Sequence, residues 1–184
     1  MQRELVRAGI VMAALIGFAV AALSTVDTAS PAETKLDPGV GVVRKIKRFQ
    51  RSTWRWQRLM GVARTPTRKS YLRVRDHEYR VFVLRQWRRR AIRARHQAHH
   101  PPHARAWRCL QRFEGAWDDA EDPYWGGLQM DRGFMRQYAP RHLLRRGWAN
   151  EWTPIEQMWV AERALRAGRG FYPWPNAGRI CGLV

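Results

Sequence analysis

Residues 109–130 of the chain read CLQRFEGAWDDAEDPYWGGLQM, and the interpretation of the whole sequence starts from this stretch. A carboxylate, Glu114, stands at the predicted end of a short helix whose apolar positions are Trp107, Leu110 and Phe113. A glycine and a tryptophan follow, then an acidic turn, and then an aromatic pair that leads into two glycines. The sequence therefore predicts one acid at a helix end, facing a glycine-rich and aromatic segment.

This combination of residues suits the cleavage of a glycan chain. Glycosidic cleavage needs a proton donor at the leaving oxygen, and burial beside aromatic rings keeps a carboxyl protonated near neutral pH. Glu114 is the predicted catalytic acid. Aromatic rings pack on the apolar faces of sugars, and glycines allow a polymer to approach the backbone. The predicted substrate-binding residues are Trp117, Tyr124, Trp125, Gly126, Gly127 and Gln129, with core packing as the alternative role for each tryptophan.

The other carboxylates of this region decide which kind of cleavage is expected. They are Asp118, Asp119, Glu121, Asp122 and Asp131. A two-carboxylate hydrolase needs a second acid across the bond, but four of these crowd a surface turn and Asp131 is placed to cap the next helix. A single acid suffices if the substrate's N-acetyl group stabilises the oxocarbenium ion and its 6-hydroxyl replaces water. Gln129 is then the group expected to bind the substrate's amide.

Several motifs support this interpretation. They are EGAW at residues 114–117, YWGGLQM at 124–130, EQMWVAERA at 156–164, GRGFYPWP at 168–175 and CGL at 181–183, with Phe134 and Tyr138 between them. With these motifs, residues 105–184 resemble the transglycosylase-like domain of the resuscitation-promoting-factor family, bacterial cell-wall lytic proteins with a lysozyme-like fold. The resemblance implies peptidoglycan as the substrate and Glu114 as the acid. Many members carry Ser-Gly after the acid, where this chain has Gly115-Ala116.

The positive charge of the chain is concentrated in its middle. The 184 residues include 34 Lys and Arg against 15 Asp and Glu, but residues 35–104 hold 20 of the basic residues and only 3 acidic ones. Residues 42–60 and 70–97 are predicted to be basic helices, separated by a break at 61–69. Such a region suits anionic lipids or wall polymers, or serves as a solvated spacer. Nucleic-acid binding is the third and less favoured interpretation, because an apolar N-terminal segment argues for export.

That N-terminal segment covers residues 8–23, which carry no charge and follow Arg3 and Arg7. The pattern predicts a signal peptide or membrane anchor within residues 1–30, and hence a secreted or membrane-anchored protein outside the cytoplasm. Cleavage of the segment stays open at this point. Residues 31–104 are expected to be a basic linker and helical region, and residues 105–184 the transglycosylase-like domain.

Two cysteines, Cys109 and Cys181, bracket the C-terminal domain. A domain of this size has a marginal core, and an exported protein meets oxidising conditions, so a disulfide is expected rather than two free thiols. Four histidines at positions 96, 99, 100 and 103 surround Pro101-Pro102. We interpret them as an exposed hinge and not as a metal site, because structural zinc sites usually include thiolates. No metal and no cofactor is expected.

The clearest helix start in the sequence is Thr153-Pro154-Ile155-Glu156, which has the pattern of a capping box with proline at the first position. This helix is expected to run to Ala167 and to end at Gly168. The predicted fold is α+β and mostly helical, with at most a short hairpin at residues 124–130. The expected function is a peptidoglycan lytic enzyme, with a non-catalytic wall-binding module of the same fold as the alternative.

Overall fold

The computed structural model describes residues 38–184, which are mostly helical as predicted. The α-helices are α1 Pro38–Met60, α2 Ser70–Arg73, α3 His77–His99, α4 Ala104–Glu114, α5 Arg132–Tyr138, α6 Arg141–Leu144, α7 Pro154–Ala164 and α8 Pro175–Ile180. Within these residues the only β-pairing is one antiparallel bridge between Trp125 and Met130. The predicted signal peptide or anchor lies outside the described residues, and no helix among residues 38–184 is long and apolar enough to cross a membrane.

Helices α1 and α3 run parallel to each other and form the basic half of the structure. Their register is shown by Trp54 against Trp87, with ring centroids 5.8 Å apart, and by Trp56 against His99 further along both helices. The chain returns between them through residues 61–76, which lie along α1. The return is held by a hydrogen bond from Trp54 Nε1 to the Thr65 carbonyl at 2.9 Å. A basic α1 and the break after it are therefore confirmed.

The second basic stretch is not one helix from residue 70, as the sequence predicted. It divides into the single turn α2 and the long α3, with residues 74–76 non-helical between them. Asp76 caps α3, because its carboxylate accepts a hydrogen bond from the Tyr79 amide at 2.6 Å. The Asp76 cap therefore decides where α3 begins, although apolar residues recur at loosely helical spacing from residue 70 onward.

Helix α7 lies at the centre of the other half. Its predicted capping box is confirmed: Thr153 accepts from the Glu156 amide, and the Glu156 carboxylate accepts from the Thr153 amide. Regular α-structure ends at Ala164, three residues before the predicted end, and a π-helical turn Leu165–Arg169 follows. Gly168 takes a left-handed φ of 87° there, which explains why the helix stops at a glycine.

The main hydrophobic core joins the two halves. It includes residues of α4, α5, α7 and α8, and also Leu59 and Met60 of α1 and Ala94 and Ala98 of α3. The Trp159 indole donates to the Ala98 carbonyl at 2.7 Å, so α7 is hydrogen-bonded to the end of the basic pair. Residues 38–184 accordingly belong to one compact unit, with packing that continues across the predicted domain boundary at residue 105.

The predicted disulfide is present. Cys109 of α4 and Cys181, which follows α8, are bonded with their Cα atoms 6.0 Å apart, a normal separation for such a bridge. The bond ties the chain's C-terminal segment to the helix that ends in Glu114. It closes a loop of 72 residues, for which the chain-entropy account gives a stabilisation of about 4 kcal/mol.

Reduction of this bridge, or Cys181→Ser, should lower the melting temperature by about 10 °C, because a loop of this length becomes unconstrained in the unfolded chain. Thermal melts with and without reductant measure the effect. The double serine variant is the control, since reductant should not change its melting curve. Identical curves for the wild type in both conditions would contradict a stabilising role.

Candidate functional site

Helix α4 places Glu114 at its C-terminal end. Trp107 and Leu110 are completely buried and fix one face of the helix in the core. Phe113, however, is 53% exposed, so the sequence expectation that it belongs to the apolar face is wrong. The cause is the spacing: positions 107, 110 and 113 repeat every three residues while the helix repeats every 3.6, so Phe113 lies about 120° around α4 from Trp107. Glu114 is half-buried at the helix end.

The carboxyl of Glu114 is suited to hold a proton. Burial raises its pKa above the ordinary glutamate value, as expected from the sequence. No hydrogen bond or ion pair from another described residue offsets this cost of ionisation. A half-buried acid without a stabilising cation is the arrangement that general-acid catalysis needs.

Gly115, next to the acid, faces a pair of polar side chains. The Gln129 amide nitrogen donates to Asp119 Oδ2 at 2.7 Å and to the Gly126 carbonyl at 3.1 Å. A Cβ atom at position 115 would meet the Gln129 nitrogen at 2.8 Å and Asp119 Oδ2 at 3.0 Å. Since Gly115 has an extended backbone open to any residue, the neighbouring side chains and not the dihedral angles favour glycine. The Gln129–Asp119 pair therefore occupies the space that a side chain at position 115 would need.

The two glycines of the YWGG motif are buried, and their close neighbours are protein atoms. A Cβ at Gly126 would lie 2.5 Å from Gln157 Oε1, and one at Gly127 would lie 2.8 Å from the Trp117 ring. Gly126 also has a positive φ of 73°, which starts the turn closed by the Trp125–Met130 bridge. Internal packing thus accounts for both glycines, and their predicted contact with a substrate stays a prediction.

One residue that the sequence interpretation missed holds the YWGG turn and the segment after Glu114 together. Gln157 of α7 is completely buried, and its Oε1 accepts from the Gly127 amide at 3.0 Å. Its amide nitrogen lies within hydrogen-bond distance of three carbonyls, those of Trp117, Ala149 and Trp152, at 2.7 to 3.1 Å. Gln157 therefore joins the segment after Glu114, the YWGG turn and α7. Its position directly before the buried apolar run 158–161 of α7 is the only sequence signal of this role.

The predicted aromatic subsite residues differ in exposure. Tyr124 is 48% exposed and Trp117 is half-buried, so both present surface to a ligand. Trp125 is buried against Trp148, with ring centroids 5.8 Å apart, and Arg132 covers its ring. Packing is therefore the observed role of Trp125, and Tyr124 and Trp117 are the better candidates for sugar contacts.

Two grooves are lined in part by residues of this region. One of about 370 Å³ is lined by residues that include Tyr124, Gln129, Tyr138, Arg169 and Trp174. The other, of about 290 Å³, is lined by residues that include Gln111, Arg112, Trp117 and Met158. Glu114 lines neither groove. It is linked to the first through Gly115 and Gln129, and to the second through the preceding turn of α4.

Most other carboxylates of the region have partners within the protein. Asp131 caps α5 by accepting from the Phe134 amide at 2.7 Å, as predicted. Asp122 pairs with Arg132 at 2.9 Å. Asp119 binds Gln129 and also accepts from the Glu121 amide at 3.1 Å. Among these acids, Asp119 is the one that lies beside Gly115, and so next to Glu114.

A buried acid of α7, also missed from the sequence, contacts the last histidine of the 96–103 segment. Glu162 of α7 is 1% exposed, and its carboxylate accepts from the His103 amide and from the Trp107 indole, both at 2.8 Å. The His103 ring lies 3.1 Å from the same carboxylate. Within residues 38–184 no group of three or more His, Cys, Asp or Glu side chains is arranged to hold a metal ion. His103 instead precedes the first turn of α4 and contacts the buried carboxylate of Glu162.

The raised pKa of Glu114 predicts how stability depends on pH. The folded protein keeps this proton at a pH where the unfolded chain has lost it, so stability falls as pH rises from the unfolded pKa through the folded one. Glu114→Gln removes this loss. The variant's melting temperature should match the wild type near pH 4 and exceed it at pH 7, measured by thermal melts. An equal difference at both pH values would contradict the assignment.

Comparisons of this chain with protein-family models, with curated proteins and with solved structures found no match.

Proposed function

We propose that this protein is a peptidoglycan lytic enzyme that cleaves the glycan strand with Glu114 as its single catalytic acid, within a lysozyme-like domain. The observation that carries the proposal is the placement of Glu114: half-buried at the end of α4, with a raised pKa, and without a cation or donor that would hold it ionised. The motif resemblance of residues 105–184 supplies the substrate class, and the neighbouring groove with Tyr124 and Gln129 supports it.

The proposed chemistry uses the substrate in place of a second carboxylate. Glu114 donates its proton to the glycosidic oxygen as the bond from that oxygen to C1 of the muramic acid breaks. The N-acetyl carbonyl oxygen stabilises C1, the 6-hydroxyl then bonds to C1, and its proton returns to Glu114. No water is consumed and no cofactor is needed. The partners of Asp119, Asp122 and Asp131 within the protein support a single-acid route.

Gln129 has a defined part in this proposal. Its nitrogen is engaged by Asp119 and by the Gly126 carbonyl, while no described residue donates to its Oε1. That oxygen is therefore the atom available to accept a hydrogen bond from the N–H of a substrate's acetamido group. Asp119 acts as a positioning residue for Gln129.

The product distinguishes this route from hydrolysis. Digestion of purified peptidoglycan should release muropeptides that end in 1,6-anhydro-muramic acid, each lighter by one water than a hydrolytic product. Mass spectrometry after digestion in oxygen-18 water is the measurement. Reducing ends that carry oxygen-18 would show hydrolysis, and Asp119 would then be the second carboxylate to test, because it lies beside Gly115.

A wall-binding module without cleavage is the second candidate function. It is favoured by one feature, the replacement of the Ser-Gly that follows the acid in many members of the resembling family by Gly115-Ala116. In that case the aromatic grooves would retain peptidoglycan while Glu114 does no chemistry. Binding of the protein to purified walls, with no soluble muropeptides released over prolonged incubation, would favour this candidate.

A further inference from the structure

The end of the basic helix pair that lies far from the α7 core carries a surface that does not include any residue of the proposed cleavage site. Because α1 and α3 are parallel, their first turns lie together at this end. Residues 70–74 pack against α3 there: Ser70 Oγ is 2.7 Å from the Tyr79 hydroxyl, and Arg80 donates to the Val74 carbonyl at 3.0 Å. We call residues 66–90, which run from this end to the middle of α3, the basic tip.

The basic tip exposes large apolar side chains. Leu72, Val74 and Phe82 are 41%, 40% and 55% exposed, although a small cluster around Ile46 and Trp87 lies directly beneath this part of the structure. Phe82 also lines an open groove of about 400 Å³, whose other lining residues include Tyr71, Tyr79, Trp87, Arg68 and Arg90. Exposed apolar side chains grouped at one end and rimmed by charge mark an interaction surface.

The charge around these side chains is strongly positive and is not neutralised within the fold. Residues 38–99 contain 19 Lys and Arg but only two acidic residues, Asp76 and Glu78. The described part of the chain has three ion pairs, and all of them join residues within the range 103–162, outside the helix pair. Guanidinium groups that have no carboxylate partner are available for phosphate, which arginine binds in a forked geometry.

Apolar side chains among arginines fit one kind of partner better than the others. A soluble polyanion offers charge but nothing apolar, whereas an anionic bilayer offers phosphates above an acyl boundary. The position of the tip in the chain agrees with a bilayer. Helix α1 begins at Pro38, only 14 residues after the uncharged segment 8–23, which the sequence predicts to be a signal peptide or membrane anchor. A chain of 14 residues spans about 50 Å at most, so an anchor would keep the tip near a bilayer.

We propose that the basic tip docks on an anionic lipid bilayer, with Leu72, Val74 and Phe82 at the acyl boundary and Arg68, Arg90 and neighbouring arginines on lipid phosphates. The surface lies at the far end of the helix pair from the α7 core. A protein docked in this way holds the Glu114 domain at a distance from the membrane set by the length of the helix pair.

Hydrogen–deuterium exchange of the full chain tests the proposal at the tip itself, whatever the N-terminal segment does. The probes are vesicles of phosphatidylcholine alone and vesicles with about 30% phosphatidylglycerol. Residues 66–77 should be protected by the anionic vesicles and not by the neutral ones, with less protection at high salt because screening weakens the arginine contacts. Residues 118–124, in the acidic turn, should be unaffected.

The triple variant Leu72→Ser, Val74→Ser and Phe82→Ser should reduce this protection at least tenfold at a fixed lipid concentration. All three side chains are exposed, so the fold is retained, and melting curves check this. The matched control is Tyr172→Ser with Ile180→Ser, two exposed apolar residues outside the tip, which should leave the protection unchanged. Equal protection by neutral vesicles, or none by either kind, overturns the proposal. Protection by soluble polyphosphate but not by vesicles also overturns it and identifies a polymer partner.

Discussion

Replacing Glu114 with glutamine is expected to reduce the release of soluble muropeptides from purified peptidoglycan by about 10²- to 10⁴-fold, the usual contribution of a general acid. The amide has almost the shape of the carboxyl but cannot give a proton to the glycosidic oxygen. No described residue bonds to the carboxylate of Glu114, so the variant loses no contact and should fold like the wild type. Initial rates of release, measured beside thermal melts, separate lost chemistry from lost structure.

Glu121→Gln is the matched control for this experiment. It makes the same chemical change at an exposed carboxylate of the acidic turn, and cleavage should continue at the wild-type rate. Full activity of Glu114→Gln would place the acid elsewhere. Asp119 would then be examined first, because its carboxylate lies beside Gly115 and is held there by Gln129.

A loss of stability as large as that from opening the disulfide is expected for Gln157→Leu. Leucine is similar in size but leaves the Gly127 amide and the carbonyls of Trp117 and Trp152 without this partner, whereas the Ala149 carbonyl keeps the hydrogen bond from the Trp152 amide. Each buried polar group left unpaired costs about 1–3 kcal/mol, so a loss of about 4 kcal/mol and about 10 °C in melting temperature is expected. Chemical denaturation followed by tryptophan fluorescence measures it.

The same variant should also lower glycan cleavage at temperatures where it remains folded, because Gln157 positions the segment after Glu114 against the YWGG turn. Gln97→Leu is the control, since Gln97 is exposed on α3 and its side chain makes no described contact. A Gln157→Leu protein with wild-type stability would show that water replaces the amide of Gln157 in the interior. That result would contradict the role of Gln157 in holding these segments together.

Local sequence patterns predicted the elements whose causes are local. The capping box at Thr153 and Glu156 and the Asp131 cap are confirmed, since a cap depends on residues three positions apart. The basic helix α1 and the break after Met60 followed from the spacing of apolar residues and from Gly61. The acid at the end of α4 was also predicted in place, together with the direction of its pKa shift.

By itself the sequence thus determined that the protein is mostly helical, where α1, α4, α5 and α7 lie, and that Cys109 and Cys181 pair. Only the tertiary structure decided which polar side chains are buried. Gln157 and Glu162 are interior residues because amides, indoles and carbonyls from segments 5 to 59 residues away converge on them. The same dependence on other segments of the chain filled the space beside Gly115 with the side chains of Asp119 and Gln129. Periodicity records which face of a helix is apolar, whereas burial of a polar group depends on partners that meet only in the folded chain.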